Sequence, residues 1–282
     1  MHIKSSNMRN PKVAIFGTAA SYHDMAARKF YGREFDLIEC STFRQSCDML
    51  KNNTADYAVM AIENSLAGSI LSNYDLIDEY GLRIIGEQYL KIELHLLALQ
   101  GVRLQDLECI HSHPMALAQC SDFLAGHPWI RVTEERDTAS SVKKILEKNL
   151  RNTAAVANDS ASVLYRVPIL IRDIGNSEAN YTRFIILSKG DSCPERPNKA
   201  SVKFRIRHET GSLADVLNVL KRNQVNISKI QSIPIAGEPY EYSFHTDLEW
   251  GDYEQFRKAI KKLRRTTRDL SILGEYIKAS IG

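Results

Sequence analysis

The chain has 282 residues, 44% of them hydrophobic and 25% charged, which is enough for one large or two modest globular domains with real cores. Its net charge of +3 is too small to indicate nucleic-acid binding, no apolar run approaches the roughly 18 residues of a membrane span, and the polar N-terminus does not resemble a signal peptide. The five cysteines form no CxxC pair, so the sequence predicts neither a disulfide framework nor a zinc site, but reduced thiols in a cytoplasmic protein.

Short apolar strands alternate with helical stretches between residues 13 and 187. The predicted strands cover residues 13–16, 57–61, 83–86, 91–99, 107–110, 154–157 and 184–187. The predicted helices cover residues 23–31, 42–51, 116–124, 140–149 and 160–165, with a further helix through 74–77. This alternation predicts an α/β domain, and its length is sufficient for two lobes with a cleft between them.

A change of composition marks the predicted domain boundary. Residues 190–199 include two prolines and hardly any apolar residues, so we predict a domain at 1–190, a linker at 191–200 and a second domain at 201–282. Beyond the linker the predicted order is strand 201–207, helix 212–223, strand 227–235, turn 237–239, strand 240–248, helix 252–265 and strand 270–276. This is the ferredoxin-like β-α-β-β-α-β order. Its edge strands and helix N-terminus can form a small-molecule site, often across a dimer.

Polar side chains follow the predicted strand at 57–61. Glu63, Asn64 and Ser65 supply a carboxylate, an amide and a hydroxyl, and Gly68 comes after them. In open α/β sheets, ligands bind just beyond the carboxyl ends of strands. The triplet therefore predicts a site for a small polar molecule.

Three further segments place polar residues next to predicted strands and helices. In residues 112–120, Ser112 is placed as an N-cap ahead of Pro114, which puts Gln119 about two turns into the helix. Asp137 begins another segment, for which a capped helix start is the plainer interpretation. In the last segment, residues 180–184, a polar loop leads into a strand.

Taken in order, these segments resemble the prephenate dehydratase family, over residues 13–187. The resemblance rests on Ile62–Ser65 with Gly68, Ser112–Cys120, Asp137–Ala139 and Asn180–Phe184, together with Ser21-Tyr22, Ala26-Ala27 and Gly86-Glu87. Ala20 and Met115 depart from the family's common glycine and glutamine. The resemblance implies a two-lobed α/β catalytic domain of periplasmic-binding-protein architecture. It also implies the conversion of prephenate to phenylpyruvate, water and carbon dioxide in phenylalanine biosynthesis.

The second predicted domain resembles the regulatory ACT domain of the same family. Residues 211–217 match the family's Gly-Ala-Leu-x-x-x-Leu element. The resemblance implies feedback by L-phenylalanine bound between chains, with Gly211, Ser212, Leu213, Gln231 and Ser232 as the effector-binding residues. The family signature Glu-Ser-Arg-Pro is replaced here by Gln231-Ser232-Ile233-Pro234. If the missing carboxylate and guanidinium stabilise the effector site, phenylalanine sensing is weakened, altered or lost.

The same resemblance implies roles for the residues of the first domain. Thr182 is the first choice for contact with the leaving hydroxyl, as a hydrogen-bond donor, because a threonine hydroxyl is a poor acid at pH 7. Glu63 and Ser112 complete the predicted catalytic set, although we interpret Glu63 as a brace for the donors rather than a protonated acid. His113 is either an acid or a helix cap. The predicted substrate-binding residues are Asn64, Ser65, Gln119, Arg183 and Ser21.

Adjacent strand residues point to opposite faces, so Thr182 and Arg183 face one cleft together only if the backbone is irregular. Arg183 is therefore predicted to bind the substrate or to orient other groups.

Two other functions stay open at this point. Arogenate dehydratase uses the same chemistry on the amino-acid form of the substrate, and a non-catalytic amino-acid-sensing protein has the same two-lobed form. We expect no metal, no cofactor, and a homodimer or homotetramer, because ACT sites usually form between chains. The first predicted strand begins near the N-terminus, so we expect no fused chorismate mutase domain.

Overall fold

A computed structural model describes residues 10–32, 34–190, 193–235, 237–238 and 241–281. Parts of three sequence predictions lie outside the described residues. These are the first two positions of the linker at 191–200, Pro239 of the predicted turn, and Tyr240 at the start of the next strand. The outermost positions of the two predicted domains, residues 1–9 and 282, also lie outside them.

The described residues form strands and helices with the following bounds. The strands are β1 (Lys12–Phe16), β2 (Asp36–Cys40), β3 (Tyr57–Asn64), β4 (Gly68–Ser69), β5 (Arg83–Lys91), β6 (His95–Leu97), β7 (Cys109–Ser112), β8 (Arg131–Glu134), β9 (Thr153–Ala157), β10 (Ile169–Ile171), β11 (Tyr181–Ser188), β12 (Lys199–Arg205), β13 (Asn226–Pro234), β14 (Tyr242–Glu249) and β15 (Arg268–Tyr276). The α-helices are α1 (Tyr22–Tyr31), α2 (Phe43–Lys51), α3 (Leu71–Tyr80), α4 (Pro114–Ala118), α5 (Ser121–Ala125), α6 (Thr138–Glu147), α7 (Asp159–Tyr165), α8 (Ser212–Arg222) and α9 (Tyr253–Thr266). Each helix among the described residues is too short or too polar to span a bilayer.

The chain separates into two compact units. The first unit contains the described residues of 1–76 and 88–184 together with residue 281, and the second contains those of 77–87 and 185–280. The predicted division into domains at 190 and 201 stays a prediction.

Two mixed β-sheets position the polar segments of the first unit. One sheet has the order β2-β1-β3-β11-β5, with β4 paired to β3, and β1 runs parallel to both β2 and β3. The other has the order β10-β6-β9-β7-β8, in which β7 runs parallel to β8 and β9. Strand β3 is buried over most of its length, because its near-continuous apolar run is covered on both faces. The predicted α/β class is confirmed.

The second unit contains a four-stranded antiparallel sheet with the order β13-β14-β12-β15. The chain passes through β12, α8, β13, β14, α9 and β15, which is the predicted β-α-β-β-α-β order. Its core contains Phe204 on β12, Val216 on α8, and Phe256 and Leu263 on α9. The amphipathic helices cover the sheet because their apolar residues recur on one side.

Gly274 on β15 has no room for a side chain. A Cβ atom at this position would lie 1.9 Å from the carbonyl oxygen of Ile84, so the two backbones are in direct contact. We expect Gly274→Ala to lower the free energy of unfolding by at least about 3 kcal/mol, since a backbone atom cannot rotate away as a side chain can. The measurement is urea denaturation, and the matched control is Gly251→Ala, where an added Cβ meets nothing within 4 Å. Equal midpoints for the two variants would contradict the prediction.

Candidate active site

The end of β3 lies beside the start of β11 in the first unit. The Ser65 amide donates to the Tyr181 carbonyl oxygen over 2.8 Å. The Ser65 hydroxyl donates to the Ala179 carbonyl over 3.0 Å and accepts from the Tyr181 amide over 2.9 Å. Backbone and hydroxyl bonds therefore hold the first and last of the predicted polar segments together.

Three side-chain amides form a closed ring at this point, which we call the amide ring: Asn64, Gln119 and Asn180. Gln119 Nε2 donates to Asn64 Oδ1 over 3.2 Å, Asn64 Nδ2 donates to Asn180 Oδ1 over 2.8 Å, and Asn180 Nδ2 donates to Gln119 Oε1 over 2.9 Å. All three residues are buried. Asn64 ends a strand of the first sheet and Gln119 follows a strand of the second, so the ring joins elements of both sheets.

Thr182 is attached to the amide ring. Asn64 Nδ2 donates to Thr182 Oγ1 over 3.0 Å, and Thr182 is only 9% exposed. Because the threonine oxygen accepts this hydrogen, its own hydroxyl hydrogen can be donated to a bound group. The structure thus brings together three predicted site residues, Asn64, Gln119 and Thr182.

Glu63 and Arg183 are neighbours of Asn64 and Thr182 in sequence, but they lie together on the other face of their strands. Arg183 Nη1 is 3.9 Å from Glu63 Oε2, and the Arg183 side chain is 3% exposed. Side chains alternate along a strand, so the contact between Asn64 and Thr182 on one face leaves Glu63 and Arg183 on the opposite one. This geometry favours the bracing interpretation of Glu63 and the orienting interpretation of Arg183.

The segment around Ser112 differs from the sequence prediction. The N-cap of α4 is His113, whose Nδ1 accepts from the Met115 amide over 3.2 Å, so the prediction of Ser112 as the cap is wrong. Helix α4 ends at Ala118, so Gln119 is its C-cap rather than a residue two turns inside it. The Ser112 hydroxyl is fully buried and donates to the Val156 carbonyl over 2.7 Å, which ties the end of β7 to β9.

Ser21 and Asp137 both cap helices. The Ser21 hydroxyl accepts from the Asp24 amide at the start of α1. Asp137 Oδ1 accepts from the Ser140 amide over 2.8 Å at the start of α6, as the plainer interpretation expected, and from the Thr18 hydroxyl over 3.3 Å. Asp137 therefore links the loop after β1 to α6, which is a role that its sequence neighbours do not reveal.

Two histidines near the site are held neutral. Burial, with a smaller contribution from the nearby His113, lowers the pKa of His23 to about 3. His23 Nε2 accepts from the Ala61 amide over 3.3 Å, and its ring packs edge-on against Phe184. Burial also lowers the pKa of His113. Since His113 Nδ1 already accepts a hydrogen bond, Nε2 carries the hydrogen of the neutral ring.

Glu93, His95 and Asp159 lie close enough to offer three ligand atoms to a cation. However, the Asp173 amide donates to His95 Nδ1 over 2.9 Å, so Nδ1 carries the lone pair. In the neutral ring the hydrogen then lies on Nε2, the atom that faces Asp159 at 3.3 Å. A nitrogen that carries a hydrogen cannot be a metal ligand, so this tautomer does not fit a metal site.

Three of the five predicted effector-binding residues of the second unit line one cavity, and the other two lie elsewhere. Gly211, Ser212 and Leu213 line a cavity of about 640 Å³, whose wall also includes Tyr242 and Phe244. Gln231 and Ser232 lie on β13 at the edge of the sheet and are not part of that lining. Ser232 is opposite Phe244 in the register of β13 with β14.

A buried ring of amides with a hydroxyl, placed at the strand ends of an α/β unit, is typical of a site for a small molecule. The family model of prephenate dehydratase matches residues 13–192, and the chain belongs to the prephenate dehydratase family. A bifunctional chorismate mutase/prephenate dehydratase of Enterobacter agglomerans is 34% identical, over 94% of this chain and 70% of the relative.

Two solved structures are similar over almost the whole chain. A prephenate dehydratase from Arthrobacter aurescens in complex with L-Phe is 26% identical, with a TM-score of 0.83, and the match covers 96% of this chain and 93% of that one. GqqA, described as a novel type of quorum quenching acylase, is 30% identical with a TM-score of 0.83, over 95% of this chain and 98% of that one.

Proposed function

We propose that the chain converts prephenate into phenylpyruvate, carbon dioxide and water. The observation that supports this most directly is the contact of Thr182 with the amide ring, inside the residues matched by the family model. In the reaction, the electron pair of the bond to the ring carboxylate moves into the ring as carbon dioxide leaves. The opposite carbon–oxygen bond breaks with its electron pair on oxygen, and the resulting hydroxide takes up a proton from solvent to become water.

Aromatisation supplies the driving force, so the protein has to hold the dianion and assist the departing hydroxyl. Thr182 donates a hydrogen bond to that leaving group without giving up its proton, and Asn64 orients Thr182. Gln119 Nε2 has a second hydrogen beyond the one it gives Asn64, and this hydrogen donates to a carboxylate or keto oxygen of the substrate. Ser65, Ser112 and Ser21 hold the surrounding segments in place, and the Glu63–Arg183 pair braces the two strands behind the site.

Serine-type acyl transfer is less well supported by the same geometry. A nucleophilic serine needs a base that accepts its hydrogen. The hydroxyls of Ser65 and Ser112 instead donate to the carbonyl oxygens of Ala179 and Val156.

The test is turnover of prephenate by the purified chain, followed by the absorbance of phenylpyruvate. We expect turnover, and its absence would overturn the proposed function. Arogenate assayed in parallel decides between the keto and amino forms of the substrate. An N-acyl amide serves as the control for acyl transfer, and we expect no hydrolysis of it.

We further propose that the β-α-β-β-α-β part of the second unit is an ACT regulatory domain that binds L-phenylalanine in a homodimer or homotetramer. The cavity at Gly211 supports this, since its wall combines a helix N-terminus with the rings of Tyr242 and Phe244. A ligand with a charged amino-acid end and an aromatic ring matches such a wall. A cytoplasmic location belongs to the same proposal and is supported by the five free thiols.

L-Phenylalanine is expected to lower the turnover of prephenate. The double variant Gln231→Glu with Ile233→Arg restores the carboxylate and guanidinium of the family signature, and we expect it to need less phenylalanine for half-inhibition. The measurement is the inhibition curve of each protein, with D-phenylalanine as the control ligand. Turnover that does not respond to L-phenylalanine in either protein would refute the regulatory proposal while leaving the catalytic one intact.

A further inference from the structure

Asn180 is the one member of the amide ring that the sequence prediction did not assign to the site. It comes directly before β11 and is 2% exposed. Its backbone carbonyl accepts from the Ile92 amide over 2.8 Å, so the residue is anchored by its main chain as well as by its side chain. A buried amide with this many bonds is held in one orientation.

The hydrogen bonds of the ring run in one direction only. Asn64 Oδ1 accepts from the backbone amides of Leu66 and Ala67, each over 3.0 Å, and backbone amides can only donate. This identifies the oxygen of Asn64, so its nitrogen has to donate to Asn180 and Thr182. Asn180 then offers its oxygen to Asn64 and its nitrogen to Gln119, and Gln119 offers its nitrogen back to Asn64.

Because the hydrogen bonds run in this direction, the Thr182 oxygen accepts from Asn64 and its own hydrogen can be donated to a bound group. Asn64 Nδ2 has two hydrogens, and in this arrangement one goes to Asn180 and the other to Thr182. The Asn180 oxygen therefore holds the Asn64 amide in the plane from which it can reach Thr182. The Tyr181 carbonyl also accepts from Asn64 Nδ2, over a longer 3.3 Å, and without the Asn180 oxygen we expect this bond to draw the amide away from Thr182.

We propose that Asn180 is a positioning residue for the dehydration: its amide closes the ring whose direction the Leu66 and Ala67 amides fix, holds the Asn64 amide in place, and so aims the Thr182 hydroxyl hydrogen at the leaving group. The proposal rests on the proposed function, because the group that receives the hydrogen is defined by that reaction. Asn180 acts through Asn64 and Gln119, which predicts an effect on kcat rather than on the affinity for prephenate alone.

The first test variant is Asn180→Asp. At neutral pH the carboxylate still accepts from Asn64 but has no hydrogen for Gln119 Oε1, so two oxygens face each other across the ring. We expect kcat to fall by about 10-fold to 100-fold, the loss that corresponds to one broken buried hydrogen bond. Protonation of the new carboxyl supplies the missing hydrogen, so the ratio of variant to wild-type kcat is expected to rise as the pH falls. Taking the ratio cancels the titration of groups common to both proteins.

The second variant, Asn180→Leu, has a similar volume and no charge. We expect a low kcat that does not recover at any pH, because leucine can neither accept nor donate. Simple repulsion between the new aspartate and the dianionic substrate would leave the leucine variant active, and an active leucine variant would overturn the proposal. Circular dichroism melting shows whether each variant is folded. If the leucine variant does not fold, a flat pH ratio in the aspartate variant overturns the proposal. Wild-type protein that is inactive on prephenate would refute the proposed function instead.

Discussion

Thr182→Val is expected to lower kcat for prephenate by about 10²-fold to 10⁴-fold, the range typical of positioned proton help at a reacting group. Valine has nearly the shape of threonine but no hydrogen to give the departing hydroxyl. The amide of Asn64 keeps its bond to Asn180 and has the Tyr181 carbonyl within 3.3 Å, so the ring stays closed. The measurement is steady-state formation of phenylpyruvate, and KM is expected to change much less than kcat.

Thr182→Ser is the matched control for this prediction. Serine keeps the hydroxyl that accepts from Asn64 and donates to the substrate, so we expect it to retain most of the activity that valine loses. A valine variant with near-normal kcat would remove Thr182 from the proposed mechanism. Equal losses in the serine and valine variants would show that the methyl group, and not the hydroxyl, is the part that matters.

The meeting of residues 63–65 with Thr182 could be anticipated only through the family resemblance, which assigns both segments to one site. The apolar run before Glu63 predicts a buried strand, and the loop-to-strand pattern at 180–184 predicts a second one. Because side chains alternate along a strand, the sequence alone predicts that Thr182 and Arg183 point to opposite faces. In the structure, Arg183 pairs with Glu63.

The role of Asn180 could not be predicted in the same way. Asn180 begins the 180–184 motif on which the family resemblance rests, but the motif assigns it no role, and as a local pattern it is only a polar residue before a strand. Its partners are 61 and 116 positions away in the chain, at Gln119 and Asn64, so the ring depends on contacts that no local pattern encodes. The error at Ser112 has a local cause: serine is a common N-cap, but here its hydroxyl donates to Val156 and the next residue, His113, caps the helix.

Strands β2 and β8 were missed because they bury little apolar surface. Every residue of β8 is exposed, and β2 is buried only at Cys40. Both lie at sheet edges, where charged side chains are common and the apolar periodicity that identifies a central strand is absent. The sheets were therefore predictable in class but not in their number of strands.

Lys199→Met is expected to lower the free energy of unfolding of the second unit by about 3–5 kcal/mol, the usual effect of removing one partner of a buried ion pair. Lys199 Nζ lies 3.1 Å from both carboxylate oxygens of Glu87 and 3.6 Å from Glu249 Oε1. The side chains of Lys199 and Glu87 are 2% and 0% exposed. Methionine fills the same volume but removes the ammonium, so the carboxylate of Glu87 stays buried without this cation beside it.

We expect the loss in Lys199→Met to come mostly from burying a carboxylate whose ammonium has been removed, and a double variant separates that cost from the attraction between the charges. Lys199→Met with Glu87→Gln removes both charges, and the glutamine oxygen can still accept from the Ala279 amide, as Glu87 does over 3.2 Å. We expect the double variant to recover most of the stability that Lys199→Met loses. If the double variant is less stable than Lys199→Met, the attraction between the charges outweighs their desolvation and the argument fails.

Urea denaturation followed by tryptophan fluorescence resolves these differences within the second unit. Trp250 is buried there, stacks on Phe256 at 3.9 Å and donates to the Pro197 carbonyl, whereas Trp129 of the first unit is already exposed. The signal that changes on unfolding therefore comes mainly from the unit that contains Lys199. The exposed pair Arg257–Glu254 of the same unit, with a contact at 3.5 Å, provides the control, since Arg257→Met is expected to leave the midpoint unchanged. Equal midpoints for Lys199→Met and Arg257→Met would mean that burial does not set the energy of the Lys199–Glu87 pair.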